Sequence, residues 1–396
     1  MDSSYAWMRL AVTMVICTIG TVGMWSIPVA LPAVQADFGV ARADASLAYT
    51  LAMMGFALGG VALGRLSDRR GVVAPLLCGI AAIGVGYVTA GLAANLWLFA
   101  LSHVLIGFGA SATFAPLMAD ISQWFTRRRG IAVAVASSGN YLAGTIWPPI
   151  VQHFIADSGW RATHVGIGLF CVATMLPLLL ALRRRTPTEP VGSIGTFTAA
   201  TGSLGISPST LQALLCVAGL ACCVAMSMPQ VHIVAYCGDL GYGVARGAEM
   251  LSLMLGFGIV SRLATGFIAD RVGGLATLLL GATLQGVALF LYLFYDGLVS
   301  LYVISALFGL FQGGIVPSYA IIVREYFPPR EAGTRIGIVI MCTLFGMALG
   351  GWMSGAIFDL TGSYRAAFAN GLAWNLLNVT IAVWLLTRQD RRLALA

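Results

Sequence analysis

A single arginine interrupts an apolar run of helical length: residues 256–271 read GFGIVSRLATGFIADR, with Arg262 near the middle. An arginine at the centre of a bilayer-spanning helix costs about 2.5–3.5 kcal/mol on insertion scales, so it is kept for a partner or a task. Its planar fork can hold a carboxylate through two parallel hydrogen bonds, most strongly where the dielectric is low. The competing role is a structural pair with a buried acid, yet no acidic residue lies well inside any apolar span. The chemistry this points to is the binding of a small anion.

Bond-making chemistry finds little support. All 22 basic residues are arginine, so neither a Schiff base nor an amine of lowered pKa is available. Neither the His-Glu-x-x-His nor the Gly-x-Ser-x-Gly pattern occurs, which argues against an enzyme. The eight cysteines, Cys17, Cys78, Cys171, Cys216, Cys222, Cys223, Cys237 and Cys342, lie in or near apolar runs without metal-ligand spacing, and read as packing residues. No metal and no cofactor is expected. His103 and His232 read as the only near-neutral titrators within the apolar spans, with two roles open: hydrogen-bonded packing, or carrying a proton.

The elements that position these residues follow from composition. Hydrophobic residues make up 59% of the 396, charged residues only 9%, and mean hydropathy is +0.90, the signature of a polytopic membrane protein. The formal charge of +7 is spread in short clusters, so nucleic acid is not an expected partner. A helix needs about 20 residues to cross the hydrocarbon core. Twelve such stretches are predicted at 10–35, 45–64, 72–92, 95–119, 130–153, 162–182, 210–234, 248–268, 274–294, 298–323, 334–357 and 365–387. Residues 1–8 lack signal-peptide features, so the first stretch is expected to stay as a spanning helix. With cytoplasmic termini, seventeen arginines fall on the cytoplasmic side, Arg9 among them. Arg42, Arg161, Arg246 and Arg365 fall outside, and Arg262 alone lies within the membrane. That asymmetry is what the positive-inside rule requires. Arg127, Arg128 and Arg129 read as topogenic or lipid-facing charge.

The polar stretch 183–209 reads as a cytoplasmic linker between a six-helix bundle at 1–182 and another at 210–396. An internal repeat supports this division. Gly64-Arg-Leu-Ser-Asp68-Arg69-Arg-Gly71 recurs 202 residues later as Gly266-Phe-Ile-Ala-Asp270-Arg271-Val-Gly273. Trp124-Phe125 meets Tyr326-Phe327 at the same offset, and Pro28 with Pro229 and Pro116 with Pro317 repeat at 201. Paired halves of this kind place a binding site between them near the midplane. The counterpart of Arg262 is Gly60, so the charge belongs to one half only. Arg262 precedes Asp270 by eight residues and lies about 12 Å deeper along the helix.

The two Gly-x-x-x-Asp-Arg-x-Gly loops, the six-plus-six organisation and the central linker resemble the major facilitator superfamily over essentially the whole chain. Gly107-Phe-Gly109, Pro116, Trp124-Phe125, the Arg127-Arg-Arg-Gly130-Ile-Ala132 run, Ser138-Gly139 and Gly144 narrow the resemblance to monocarboxylate transporters and the related oxalate/formate antiporters. Arg262 stands where those families carry a substrate-binding arginine. The resemblance implies an all-α fold of twelve spanning helices in two pseudo-symmetric bundles, at the cell membrane, working by alternating access. Three departures matter. Residues 336–344 and Phe345 offer no second cation, which favours one carboxylate over two; Val29 follows Pro28 where carriers of the family have a lysine; Gly258 replaces an aspartate four residues before Arg262.

The chain is therefore expected to carry a small monocarboxylate, monomeric in the lipid bilayer, with proton symport preferred and anion exchange the alternative. A drug exporter and a sensor on the same scaffold are the remaining readings. Met24, Trp25, Thr113, Phe114, Asn140, Tyr141 and Gln312 are candidates to line the pocket with Arg262. Asp68 with Arg69, and Asp270 with Arg271, have two readings: a conformational latch, with Gly64 and Gly266 letting helices approach closely, or plain topogenic charge.

Overall fold

In hydrocarbon every peptide N–H and C=O must find its partner within the chain, and a helix provides this for each segment alone. The computed structural model describes residues 3–125, 129–184, 204–295 and 297–393. Most of the expected linker, together with Arg127, Arg128 and Arg185, lies outside the described residues. The regular elements among the described residues are all helices: α1 (Ser4–Gly20), α2 (Val22–Phe38), α3 (Arg42–Arg70), α4 (Val73–Gly91), α5 (Leu96–Ala112), α6 (Ala115–Trp124) and α7 (Arg129–Ser137). They continue as α8 (Gly139–Leu180), α9 (Pro208–Asp239), α10 (Val244–Leu291), α11 (Leu298–Gln312), α12 (Ile315–Tyr326), α13 (Pro329–Thr361) and α14 (Tyr364–Leu393).

Ten continuous stretches among them are long and apolar enough to cross a bilayer. Two are of double length: α8 has 42 residues and α10 has 48, and each contains one non-helical glycine, Gly159 and Gly273 respectively. At 1.5 Å per residue these helices measure about 63 and 72 Å, roughly twice the hydrocarbon thickness, so each supplies two crossings. The total is the twelve that hydropathy predicts.

By packing, the chain forms two compact units. The first is built from Met1–Pro187 with Gln230–Gly256 and Gly351–Gly362; the second from Thr188–Pro229, Phe257–Gly350 and Ser363–Ala396. Within the first, α3 and α5 run close together because Gly55, Gly59 and Gly107 have no side chain. A Cβ on Gly55 would press on the Val104 carbonyl, one on Gly59 would stand 2.6 Å from the Phe108 carbonyl, and one on Gly107 would fall on the Ala52 carbonyl. Small residues are what permit such backbone approach in lipid.

The repeated loop motif earns its conservation of pattern at its last glycine. Gly71 ends α3 with φ 77° and ψ 178°, and Gly273 breaks α10 with φ 80° and ψ 171°. That region of backbone space is essentially closed to residues with a Cβ. Immediately after the second break, Gly274 N–H donates to both carboxylate oxygens of Glu325, at 2.9 and 3.2 Å. An anion at the start of the new helix segment is favoured by the helix dipole. Gly64 and Gly266 differ from expectation: a Cβ at either would meet open space, so neither mediates a close helix approach here.

Two arginines that the sequence assigns to sides of the membrane are in fact buried. Arg9 is 1% exposed and holds Asp120 through Nε at 2.7 Å and Nη2 at 2.8 Å. Its Nη1 donates to the Tyr5 hydroxyl at 3.1 Å and the Arg184 carbonyl at 3.2 Å, while the guanidinium lies over the Trp124 ring. Tyr5 in turn donates to the Ala181 carbonyl at 2.8 Å, tying α1 to the end of α8. Arg42 is 7% exposed; its Nη1 meets Asp239 at 2.5 Å and its Nε donates to Gln35 at 2.8 Å. The Asp359 carboxylate accepts the backbone N–H groups of Arg42 and Ala43 at 2.9 and 2.7 Å, at the start of α3. Charge counting locates such residues along the membrane normal but says nothing of burial, because long side chains fold back onto partners that only packing brings near.

Replacing Gly273 by alanine is expected to cost about 1–3 kcal/mol through backbone strain. Gly64→Ala, with free space around it, is expected to stay within about 0.5 kcal/mol. Thermal unfolding of the purified protein in detergent compares the two, and equal shifts would contradict the assignment. Asp120→Ala, which strands the buried Arg9, is expected to cost about 3–5 kcal/mol in the same assay.

Candidate substrate-binding site

Arg262 lies on the first span of α10, eleven residues before the Gly273 break and hence about 16 Å from it along the axis. Its side chain is half-buried, and Nε donates to the Gly313 carbonyl over a long 3.5 Å. Gly313 and Gly314 separate α11 from α12. The face of α10 that meets this break is Gly258, Ser261, Arg262 and Thr265, the i, i+3, i+4, i+7 set that shares one side of a helix. A Cβ on Gly313 would overlap the Gly258 carbonyl and approach Ser261 Cβ to 2.8 Å; one on Gly314 would overlap the Thr265 side chain. Two adjacent glycines therefore let α10 lean onto the break, where the α11–α12 helix is interrupted. Gly258, the position at which the family resemblance calls for an acid, instead turns its carbonyl toward Gly313.

Gln312, the last residue of α11, is fully buried beside this break. The buried Ser261 hydroxyl has no hydrogen-bond partner among the described residues, and it stands where a Cβ on Gly313 would be 3.1 Å away. Sequence reasoning passed over Ser261 and Thr265. Their spacing from Arg262 was visible, but the break that makes the spacing matter was not.

The other candidates belong to the first unit. Trp25, 4% exposed on α2, donates Nε1 to both the backbone carbonyl and the side-chain oxygen of Asn140, at 3.1 and 3.2 Å. The amide thus has the partner that its place in a membrane span demands. Met24 and Tyr141 flank this pair in sequence and are each 8% exposed. Thr113 is otherwise engaged: it is fully buried, donates to the Ala110 carbonyl at 2.8 Å, and fills the space left by Gly20. Phe114 follows it at the α5–α6 junction, half-buried, with its ring 6.3 Å from that of Phe56. This junction and the Gly313–Gly314 break are repeat counterparts, each just before its repeated proline, Pro116 or Pro317. Ser252, near the start of α10, donates to the Thr145 carbonyl on α8, a contact that no motif announced.

The histidines also need correction. His232 is buried, with Nε2 2.7 Å from the Gly351 carbonyl. His103 is buried on α5, but His164, inside the sixth apolar stretch, is buried as well and its ring lies 5.9 Å from that of His103. His103 and His232 are therefore not the only histidines within the spans. Asp68, Arg69, Asp270 and Arg271 are exposed and form no ion pair among the described residues.

Residues 13–301 and 250–395 each match the pattern of the Major Facilitator Superfamily. The chain belongs to the major facilitator superfamily. It is a multi-pass membrane transporter of that superfamily, not an enzyme. Among curated relatives, this major facilitator protein is 28% identical over 315 residues to monocarboxylate transporter 13 of Rattus norvegicus, covering 76% of this chain and 71% of the relative. It is 27% identical over 307 residues to the MFS-type transporter pynF of Aspergillus niger, covering 76% and 69%. Against monocarboxylate transporter 11 of Homo sapiens the identity is 26% over 388 residues, covering 93% and 80%. Among solved structures, a bacterial homolog of the human lysosomal transporter Spinster, in an inward-facing and occupied conformation, superposes with a TM-score of 0.69 at 17% identity, covering 98% of this chain and 96% of that one. The same protein in an inward-facing, unoccupied conformation superposes with the same TM-score. This likeness shows the all-helical major facilitator fold.

Gly314→Ala is expected to destabilise the protein by about 1–3 kcal/mol, since overpacking forces α10 away from the break. Adding Thr265→Gly, which empties the space the new methyl needs, is expected to recover part of that loss. Thermal unfolding of the single and double variants reads the coupling; purely additive losses would show that the two positions do not touch.

Proposed function

We propose that this transporter moves a small monocarboxylate, in the size range of lactate, pyruvate or a short branched acid, by alternating access with proton symport. The observation that carries the reading is Arg262: a half-buried guanidinium in a spanning helix, leaning on a helix break, on a chain with no lysine to share the task. The names of relatives such as monocarboxylate transporters 13 and 11 support the substrate class. In this reading Arg262 takes the carboxylate through paired N–H donors. The halves of six helices, 1–182 and 210–396, are joined by the 183–209 linker. Gln312, buried beside the same break, holds the remainder of the ligand.

One cation and one carboxylate neutralise each other, and a second carboxylate would enter a low-dielectric site unpaired, at a cost of several kcal/mol. This is the physical ground for a preference for monocarboxylates. The exposed Asp68–Arg69 and Asp270–Arg271 loops act as the latch between states, and the termini lie in the cytoplasm at the cell membrane.

Uptake of labelled mono- and dicarboxylates into proteoliposomes tests the proposal. Monocarboxylates are expected to accumulate when a pH gradient is imposed; saturable uptake of dicarboxylates alone would overturn the substrate assignment. Arg262→Ala is expected to weaken apparent affinity by at least about thirtyfold, the equivalent of about 2 kcal/mol for stranding one partner of a buried charge pair. Wild-type affinity in that variant would remove Arg262 from the site.

A further inference from the structure

We propose that Arg42, Asp239 and Asp359 form a lock between the two six-helix halves that opens and recloses in each transport cycle; this rests on the alternating-access reading above. Arg42 starts α3, in the first half. Asp239 ends α9, and Asp359 lies two residues before the end of α13, both in the second half. These positions flank the connections between the first and second, seventh and eighth, and eleventh and twelfth crossings. In a chain of twelve crossings all three emerge on one side, and with cytoplasmic termini that side is the outer one.

The two acids are held in different ways. Arg42 Nη1 and Nη2 donate to the two carboxylate oxygens of Asp239, at 2.5 and 3.2 Å. Its Nε donates to Gln35 at 2.8 Å, which fixes the plane of the fork, and the guanidinium covers the Phe358 ring at 4.4 Å. Asp359 takes backbone instead. Its oxygens accept the N–H groups of Arg42 and Ala43 at 2.9 and 2.7 Å, two of the donors that the first turn of a helix leaves unmatched. The helix dipole favours a carboxylate at that end. Because both acids grip the same turn of α3, α9 and α13 release it together.

The contact is built to part. α13 meets α3 through Gly351 and Gly355, one helical turn apart: a Cβ on the first would stand 3.0 Å from the Tyr49 ring, and one on the second 3.0 Å from the backbone of Ala43. Small residues let helices lie this close, and a glycine face gives the opposing helix nothing to interlock with. Water can reach the charges as they separate. A cavity of about 380 Å³ is walled by Gln35, Arg42, Gly238 and Asp239, and the Asp239 side chain is 36% exposed against 8% for Arg42. Parted charges in a dry interior would stay unsolvated, as at the Arg9–Asp120 pair, which is 1% and 11% exposed and lies within one half.

The internal repeat makes the crossing visible. Asp37-Phe-Gly39 returns 202 residues later as Asp239-Leu-Gly241, and Asp157 returns as Asp359. In the first half these acids turn to neighbours of their own half: Asp37 pairs with Arg161 at 2.7 Å, and Asp157 accepts the Ser158 hydroxyl at 3.0 Å. Their copies in the second half are the ones that reach across. Packing agrees, since Gln230–Gly256 and Gly351–Gly362, which carry Asp239 and Asp359, group with Met1–Pro187 in one compact unit.

Hydrogen–deuterium exchange of the full-length protein in nanodiscs, read by mass spectrometry, tests the lock without substrate. Asp239→Asn is expected to raise uptake at least about twofold at residues 42–49, 232–245 and 351–362, and to lower it at 64–72 and 266–274, as the population shifts toward an outward-open state. Asp359→Asn is expected to act in the same direction. Arg161→Gln, which breaks an ion pair on the same side but inside one half, is expected to leave these segments at the wild-type level. Unchanged uptake in either acid variant that folds, a rise on both faces, or an equal response in Arg161→Gln would overturn the proposal. Loss of the fold in both acid variants would overturn it as well, by making the network a fixed structural tie. Uptake of labelled lactate by the wild type in proteoliposomes separates the two readings. A reciprocal shift in Asp239→Asn with no lactate uptake leaves the lock standing and removes the substrate assignment; lactate uptake without the shift removes the lock alone.

Discussion

A peptide group in hydrocarbon cannot be left without a hydrogen-bond partner, and at several helix interruptions among the described residues a nearby polar group meets that demand. At Thr21, between α1 and α2, the hydroxyl returns to the Cys17 carbonyl at 2.6 Å. At Ser138, between α7 and α8, it returns to the Ala134 carbonyl at 2.9 Å. After Gly273 the Glu325 carboxylate takes the next N–H. The Gly313–Gly314 break lies against the α10 face that carries Arg262, so the departure from ideal helix and the membrane-embedded cation occupy one place.

Buried cations here are treated in different ways. Arg9 is held by a carboxylate, a hydroxyl, a carbonyl and an indole ring, an arrangement that leaves its fork occupied. Arg42 joins Asp239 and Gln35, while its own backbone N–H is taken by Asp359. Both belong to the first unit, and both link segments far apart in sequence, as a locking contact must. Arg262 instead meets a backbone carbonyl at a break, in a helix face otherwise made of small residues. Burial of an ion pair is costly unless further hydrogen bonds satisfy its donors, and the networks around Arg9 and Arg42 each add such bonds to the carboxylate contact.

The buried histidines are likewise anchored by backbone. His103 and His164 each set Nδ1 against the carbonyl four residues earlier, and their rings pack 5.9 Å apart within one aromatic cluster. Gly258 and Val29 stand where the family resemblance calls for charged residues.

What was legible in the linear chain follows from periods and counts. Apolar runs determine the twelve crossings, because hydropathy is a property of segments taken one at a time, and the resemblance of the repeated loop motif points to the superfamily that the family match shows. The motif glycines Gly71 and Gly273 were likewise visible, although their role in a backbone conformation closed to other residues emerges only from the dihedral angles. Tertiary structure alone decided which polar groups meet: Arg9 with Asp120, Arg42 with Asp239, Trp25 with Asn140. It also decided that Gly64 and Gly266 face open space and that Ser261 and Thr265 press on a break. The physical reason is that hydropathy acts on residues singly, whereas hydrogen bonds and ion pairs act on pairs, and in a helical membrane protein those pairs are chosen by how helices lie together.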